Sequence, residues 1–180
     1  MAPADSIRQK KRRTRKDYRY SLEYRTRWSD NDMYGHLNNS IYAFLFDSII
    51  NTYLITHCGL NPSNSPPTSS SPNQPPKSSQ IGLVVSSYCG YFASVAFPDV
   101  LDLCLRVEKL GKSSVTYEVG VFRRAEGEDK EDEAVKVVGG FTHVFVEREG
   151  MRPTGGMDAG IRKGLEALVV DGRGEGRAKL

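Results

Sequence analysis

Between Tyr18 and Trp28 the chain alternates without a break. Tyr18, Tyr20, Leu22, Tyr24, Thr26 and Trp28 interleave with Arg19, Ser21, Glu23, Arg25 and Arg27. Period two over this stretch predicts a half-buried strand with one aromatic face. The period then changes. Ile41, Phe44, Leu45, Phe46, Ile49, Ile50, Tyr53 and Leu54 belong to a run through Ile55 that is too long for one strand and has no internal Pro or Gly. Asn38, Asn39 or Ser40 can cap such a helix, and Gly59 can end it. Its apolar residues occupy nearly all sides, which predicts a helix enclosed by other structure.

Four more strand patterns follow. Ile81–Ala93 ends before Phe97-Pro98-Asp99. Val100–Leu110 sets Leu101, Leu103, Leu105 and Val107 against Asp102, Arg106 and Glu108. A turn at Gly111-Lys112 leads into Ser113–Arg124, and the acidic segment Glu126–Asp132 leads into Ala134–Glu147. One strand, one long helix and four consecutive strands predict an α+β domain, a largely antiparallel sheet wrapped on a single helix.

Composition changes this picture at three places. Residues 1–17 read as a disordered basic arm and an inert solubilising one. Residues 61–80 hold six Pro and seven Ser and read as a flexible inserted loop. Beyond Gly150 the chain turns Gly-rich and charged. Ile161–Val170 could form a short helix there, in a weakly held tail. The domain proper is therefore expected over 18–149.

The formal charge of +3 is unevenly spread. Residues 1–19 hold eight Lys/Arg against Asp5 and Asp17, a local +6, which leaves 17 basic and 20 acidic residues elsewhere, or −3. A basic nucleic-acid face on the folded part is therefore not expected. Cys58, Cys89 and Cys104 have no disulfide or metal spacing, read as small buried hydrophobes, and imply no metal or other cofactor. No apolar run reaches the roughly 18 residues of a membrane span, so no membrane partner is expected. The chain closes on Ala178-Lys179-Leu180, close to a peroxisomal S-K-L address, with the cytoplasm as the other expected location.

The candidate chemistry lies in the turn Asp30-Asn31-Asp32-Met33-Tyr34-Gly35-His36-Leu37-Asn38-Asn39. Hydrolysis of a thioester needs a base or nucleophile and a group that stabilises the oxyanion. Asp32 can supply the first. The backbone N–H groups of Asn38, Asn39 and Ser40, at the positive end of the helix dipole, can supply the second. His36 either bonds Asp32 or the thioester, or only shapes the turn. Asn38, Gly35 and Tyr42 are candidate substrate contacts.

The motif Asp30-x-Asp32-x-x-Gly35-His36-x-Asn38-Asn39, the aromatic helix and the exit Cys58-Gly59-Leu60-Asn61-Pro62 resemble the hotdog-fold 4-hydroxybenzoyl-CoA thioesterase-like family. The Ile81–Phe92 strand and Phe97-Pro98-Asp99-Val100-Leu101 extend the likeness to about 18–148. The resemblance implies the hotdog fold, a curved antiparallel sheet around one long central helix. It also implies an acyl-CoA substrate, catalysis by the second carboxylate (Asp32), and subunits paired through edge strands, with active sites at their interface. A homodimer or homotetramer follows. Asp32 as nucleophile or as general base, and Asn39 through its side chain or its backbone, stay open. The alternative is a hotdog acyl-CoA-binding or assembly module without turnover. A hydratase would need downstream signatures that the chain lacks.

Overall fold

The computed structural model describes residues 7–60, 78–124 and 134–170. Most of the inserted loop, the acidic segment 126–132 and the Ala178-Lys179-Leu180 end lie outside them. Six strands form one sheet: β1 (Tyr20–Arg25), β2 (Gln80–Tyr91), β3 (Val100–Leu110), β4 (Ser114–Arg123), β5 (Val137–Glu147) and the short β6 (Arg152–Pro153). The order is β1-β3-β4-β5-β2, antiparallel throughout, with β6 on the end of β5. Strands β3 to β5 follow one another as their alternation predicts, while β2 crosses to the far edge.

The sheet curves around helix α2 (Asn39–His57), the expected hotdog arrangement. The helix starts where Asn38 Oδ1 accepts the Ser40 N–H at 3.0 Å, and stops at Gly59, whose φ of +70° reverses the chain. Tyr42, Leu45, Phe46, Ile49, Ile50, Tyr53 and Leu54 bury one side of α2 against Leu101, Leu103, Leu105, Val119 and Phe145. Each such side chain contributes roughly 1.5–3 kcal/mol of transfer free energy. The other side is not enclosed by the described residues, contrary to expectation. Phe44 and Ile55 are 68% and 44% exposed, because the sheet covers the helix from one direction only.

Three further expectations are corrected. First, β1 ends at Arg25, and Trp28 lies in a 3₁₀ turn, Trp28–Asp30, with its ring in solvent against Phe97. The strand stops because Thr26 N–H donates to the Asp99 carbonyl and Asp30 gathers in the Arg27 N–H.

Second, residues 7–17 are not a loose arm. Helix α1 (Ile7–Lys10) and the turn Arg15–Asp17 lie on the outer face of the sheet. Lys10 Nζ meets Glu108 and Glu118 at 3.0 Å each, Arg13 meets Glu118 at 3.0 Å, and Arg15 meets Asp102 at 3.1 Å. Glu118 has no solvent exposure, and Asp102 and Arg106 are buried with it. Buried carboxylates need cations within reach, and the arm delivers them. The close approach uses Gly120: a Cβ there would lie 2.5 Å from the Tyr18 hydroxyl.

Third, the chain beyond Gly150 is part of the fold as far as residue 170. Helix α3 (Ala159–Glu166) buries Ile161 and Leu165 in the main core, with Met157 and Leu168 beside them. Tyr53 donates its hydroxyl to the Gly164 carbonyl at 2.8 Å. At the end of the inserted loop, Gln80 is buried and holds Thr154, Gly156 and Asp158 through its amide.

Candidate active site

Asp30 is the internal fastener of the predicted turn. It is buried, its Oδ2 accepts the Arg27 N–H at 2.7 Å and the Tyr24 hydroxyl at 2.8 Å, and its carbonyl accepts the Asn38 N–H at 2.8 Å. Asp32 opens a short loop that closes on itself. Its N–H donates to the His36 carbonyl at 2.7 Å, and the Gly35 N–H returns to the Asp32 carbonyl at 3.1 Å. Gly35 has a φ of +75°, which a residue without Cβ adopts at little cost.

The Asp32 side chain is oriented by backbone. Its Oδ1 accepts the N–H groups of Tyr34 at 2.8 Å and His36 at 3.1 Å. Among the described residues no hydrogen bond reaches Oδ2. His36 therefore contacts Asp32 through its backbone, and its ring is exposed.

Of the three backbone N–H groups expected to stand open at the helix start, two are taken. Asn38 N–H goes to Asp30, and Ser40 N–H to the Asn38 side chain, which also accepts the Ser40 hydroxyl at 2.8 Å. Asn39 N–H alone of the three has no partner among the described residues, because it precedes the first carbonyl-bonded turn and the Asn38 cap reaches past it.

Asp32, His36, Leu37, Asn39 and Tyr42 face Tyr91, Phe92, Ala93 and Ser94 across an open cleft of about 420 Å³. Four of the six predicted site residues are thus brought together: Asp32, His36, Asn39 and Tyr42. Asn38 and Gly35 do not line the cleft; they cap the helix and turn the chain. Tyr42 is buried and packs edge-on against Tyr91 at 5.4 Å, and burial drives its phenol well above the usual value. The Tyr91–Ser94 wall had no signal beyond the fading alternation of its strand, since it lies more than fifty residues from the motif.

The other titratable candidates sit elsewhere. Cys58 and Cys104 are buried thiols pushed up to about 12 by desolvation, so they are inert packing groups. His143 is buried on β5, and desolvation lowers it to about 4. Arg124 is engaged by Asp102 and Glu23. Among the described residues no three His, Cys, Asp or Glu side chains converge as metal ligands. No helix among them is long and apolar enough to cross a membrane.

The model of the thioesterase superfamily matches residues 34–130, which begin two residues after Asp32 and include Gly35, His36, Asn38, Asn39 and Tyr42. The PA5185 protein of Pseudomonas aeruginosa strain PAO1 is 42% identical, with 87% of this chain and 95% of that one covered and a TM-score of 0.72. The chain belongs to the thioesterase superfamily. It is a thioester hydrolase. A thioesterase-superfamily protein of Jannaschia sp. CCS1 shares the fold at 19% identity and a TM-score of 0.65, over 85% of this chain and 86% of that one. The SAV2348 protein of Staphylococcus aureus, solved in complex with CoA, does so at 11% identity and 0.64, over 82% of each chain. No curated protein matches the chain.

Proposed function

We propose that this thioesterase hydrolyses acyl-CoA, with the Asp32 carboxylate as base or nucleophile and the Asn39 N–H as the principal oxyanion donor. The observation that carries the reading is the state of Asp32. Two backbone N–H groups hold Oδ1 and so fix the carboxylate plane, leaving Oδ2 for chemistry beside a cleft that Asn39 also lines. A carboxylate fixed before the substrate arrives needs little reorganisation in the transition state. A positioned base contributes roughly 10²–10⁴-fold, and an oxyanion donor about 10²–10³-fold. CoA as carrier is supported by the CoA complex of SAV2348, a protein of the same fold.

The site is completed in a homodimer. Val84 and Val85 on the edge strand β2 are 51% and 59% exposed, and the strand carries unpaired backbone groups along that edge. Phe44 and Ile55 on α2 add to an apolar side that water covers in the single chain. A second copy pairing along β2 would stand beside the cleft, because Tyr91 ends that strand and lines the cleft.

Free-thiol release from a panel of acyl-CoAs of graded chain length and aromatic content tests the reading. Turnover of at least one member, with a clear preference among them, is the expected result. Hydrolysis of simple thioesters with no acyl-CoA accepted would overturn the assignment of CoA.

A further inference from the structure

The two walls of the cleft come from distant parts of the chain. One is the Asp32 loop and the start of α2; the other is residues 92–94, which leave β2 toward Val95, Ala96 and Phe97. A small set of hydrogen bonds ties them together. Asn31 and Leu37 form an isolated antiparallel bridge at the base of the Asp32 loop. Leu37 N–H donates to the Val95 carbonyl at 2.8 Å, with both side chains buried. The Asn31 Oδ1 accepts the Phe97 N–H at 3.0 Å. That partner is a donor only, so the bonded atom of the amide must be its oxygen.

Asn31 is thus the one side chain of the Asp30–Asp32 turn that grips the opposite wall. It is covalently next to Asp32, and its amide oxygen holds the chain three residues beyond Ser94, the last residue lining that wall. Asp30 is used for another purpose, closing the turn on Arg27 and Tyr24. Thr26 also holds the same wall, through the Ala96 carbonyl at 3.1 Å and the Asp99 carbonyl at 2.8 Å, but it sits at the end of β1, six residues from Asp32. Backbone holds the wall as well, through Leu37 N–H on the Val95 carbonyl and through the Phe92 and Ala93 N–H groups on the Lys136 carbonyl, but of the two side chains that grip it, Asn31 and Thr26, only Asn31 is next to the carboxylate.

We infer that Asn31 is a positioning residue for the hydrolysis: by clamping the Phe97 N–H it sets the distance between the Asp32 carboxylate and the wall against which the acyl group is held. The inference rests on the reading of Asp32 as the catalytic carboxylate. A misplacement of about 1 Å can cost on the order of 10²-fold in rate, so a single clamp can matter without touching substrate.

The test compares Asn31→Ala, Asn31→Asp, Thr26→Val and Asp32→Asn on the best acyl-CoA substrate, with kcat, KM and thermal midpoint measured for each. Asn31→Ala is expected to lower kcat about 10–100-fold while KM stays within about twofold. Asn31→Asp keeps an acceptor oxygen in the same place and is expected to recover most of that loss. Thr26→Val loosens the wall from the other end and is expected to lower the thermal midpoint while kcat holds. Wild-type kcat in Asn31→Ala, no recovery in Asn31→Asp, or an equal kcat loss in Thr26→Val would each overturn the inference. Should Asn31→Ala not fold, the comparison of Asn31→Asp with wild type decides: a kcat near wild type supports the clamp, and a loss as large as that of Asp32→Asn overturns it. An inactive Asp32→Asn beside a fully active Asn31→Ala sinks the positioning role alone. An active Asp32→Asn sinks the reading beneath it as well.

Discussion

The two faces of the sheet are finished in opposite ways. On the outer face, Asp102, Glu108 and Glu118 are met by Lys10, Arg13 and Arg15 of the same chain, and Tyr18 closes over Phe122 at 5.8 Å. On the inner side, α2 and the β2 edge still carry Phe44, Ile55, Val84 and Val85 in solvent. Charge is neutralised within one chain, while apolar surface is left in solvent, which is what the proposed dimer would cover. Several cations of the basic arm, Lys10, Arg13 and Arg15, are engaged by internal carboxylates, where they counter a desolvation cost.

Removing Lys10 and Arg13 together, as Lys10→Met/Arg13→Met, breaks the finished face and should have the largest effect on stability. It leaves the buried Glu118 carboxylate with the more distant Arg106 Nε at 3.8 Å, and the expected loss is about 3 kcal/mol in urea unfolding. Adding Glu118→Gln should return a substantial part of it, since the buried charge is then gone. An unchanged midpoint in the double variant would mean that the arm rests on the sheet without supporting it.

On the unfinished side, Val84→Lys/Val85→Lys should convert a dimeric mass in light scattering to a monomeric one, because charges on an edge strand oppose pairing. A monomeric wild type would refute the contrast at its root.

A third measurement uses pH. Burial holds His143 at about 4, below its ordinary 6.5, so the unfolded chain binds a proton that the folded chain refuses. Stability from this group is complete above about 6.5 and falls, by up to about 1.4 kcal/mol per pH unit, as pH drops toward 4. Asp102 adds to the acid loss lower down. Burial alone would raise its carboxyl, but Arg124 and Arg15 outweigh burial and hold it below the ordinary value. His143→Gln should flatten the upper part of that profile and leave the lower part in place.

The smallest effect is local. Asn38→Ala removes the cap of α2 and should cost about 1 kcal/mol, with the cleft residues themselves unchanged.

Much of this architecture could be read from the chain because its signals are local. The Asn38 cap, the Gly59 stop and the alternation of β3 and β4 are patterns within a few residues, and each marks its element to within a residue or two. The arm escaped because its counter-charges sit about a hundred positions downstream, on strand positions whose alternation is the same whether they face water or a docked segment. The exposed side of α2 escaped for a related reason. An all-round apolar pattern says that a helix will be covered, without saying by which chain. At the site, Asp32, His36, Asn39 and Tyr42 were legible as one motif and the start of its helix, whereas Tyr91–Ser94 and the Asn31 clamp exist only once β2 has crossed to the sheet edge.

The most direct measurement is the turnover number of Asp32→Asn on the best acyl-CoA, made on protein whose thermal midpoint and oligomeric mass match the wild type. A fall of roughly 10²–10⁴-fold is predicted, because the amide keeps the shape and loses the base. A rate within about threefold of wild type would contradict the account and move the chemistry to another group in the cleft.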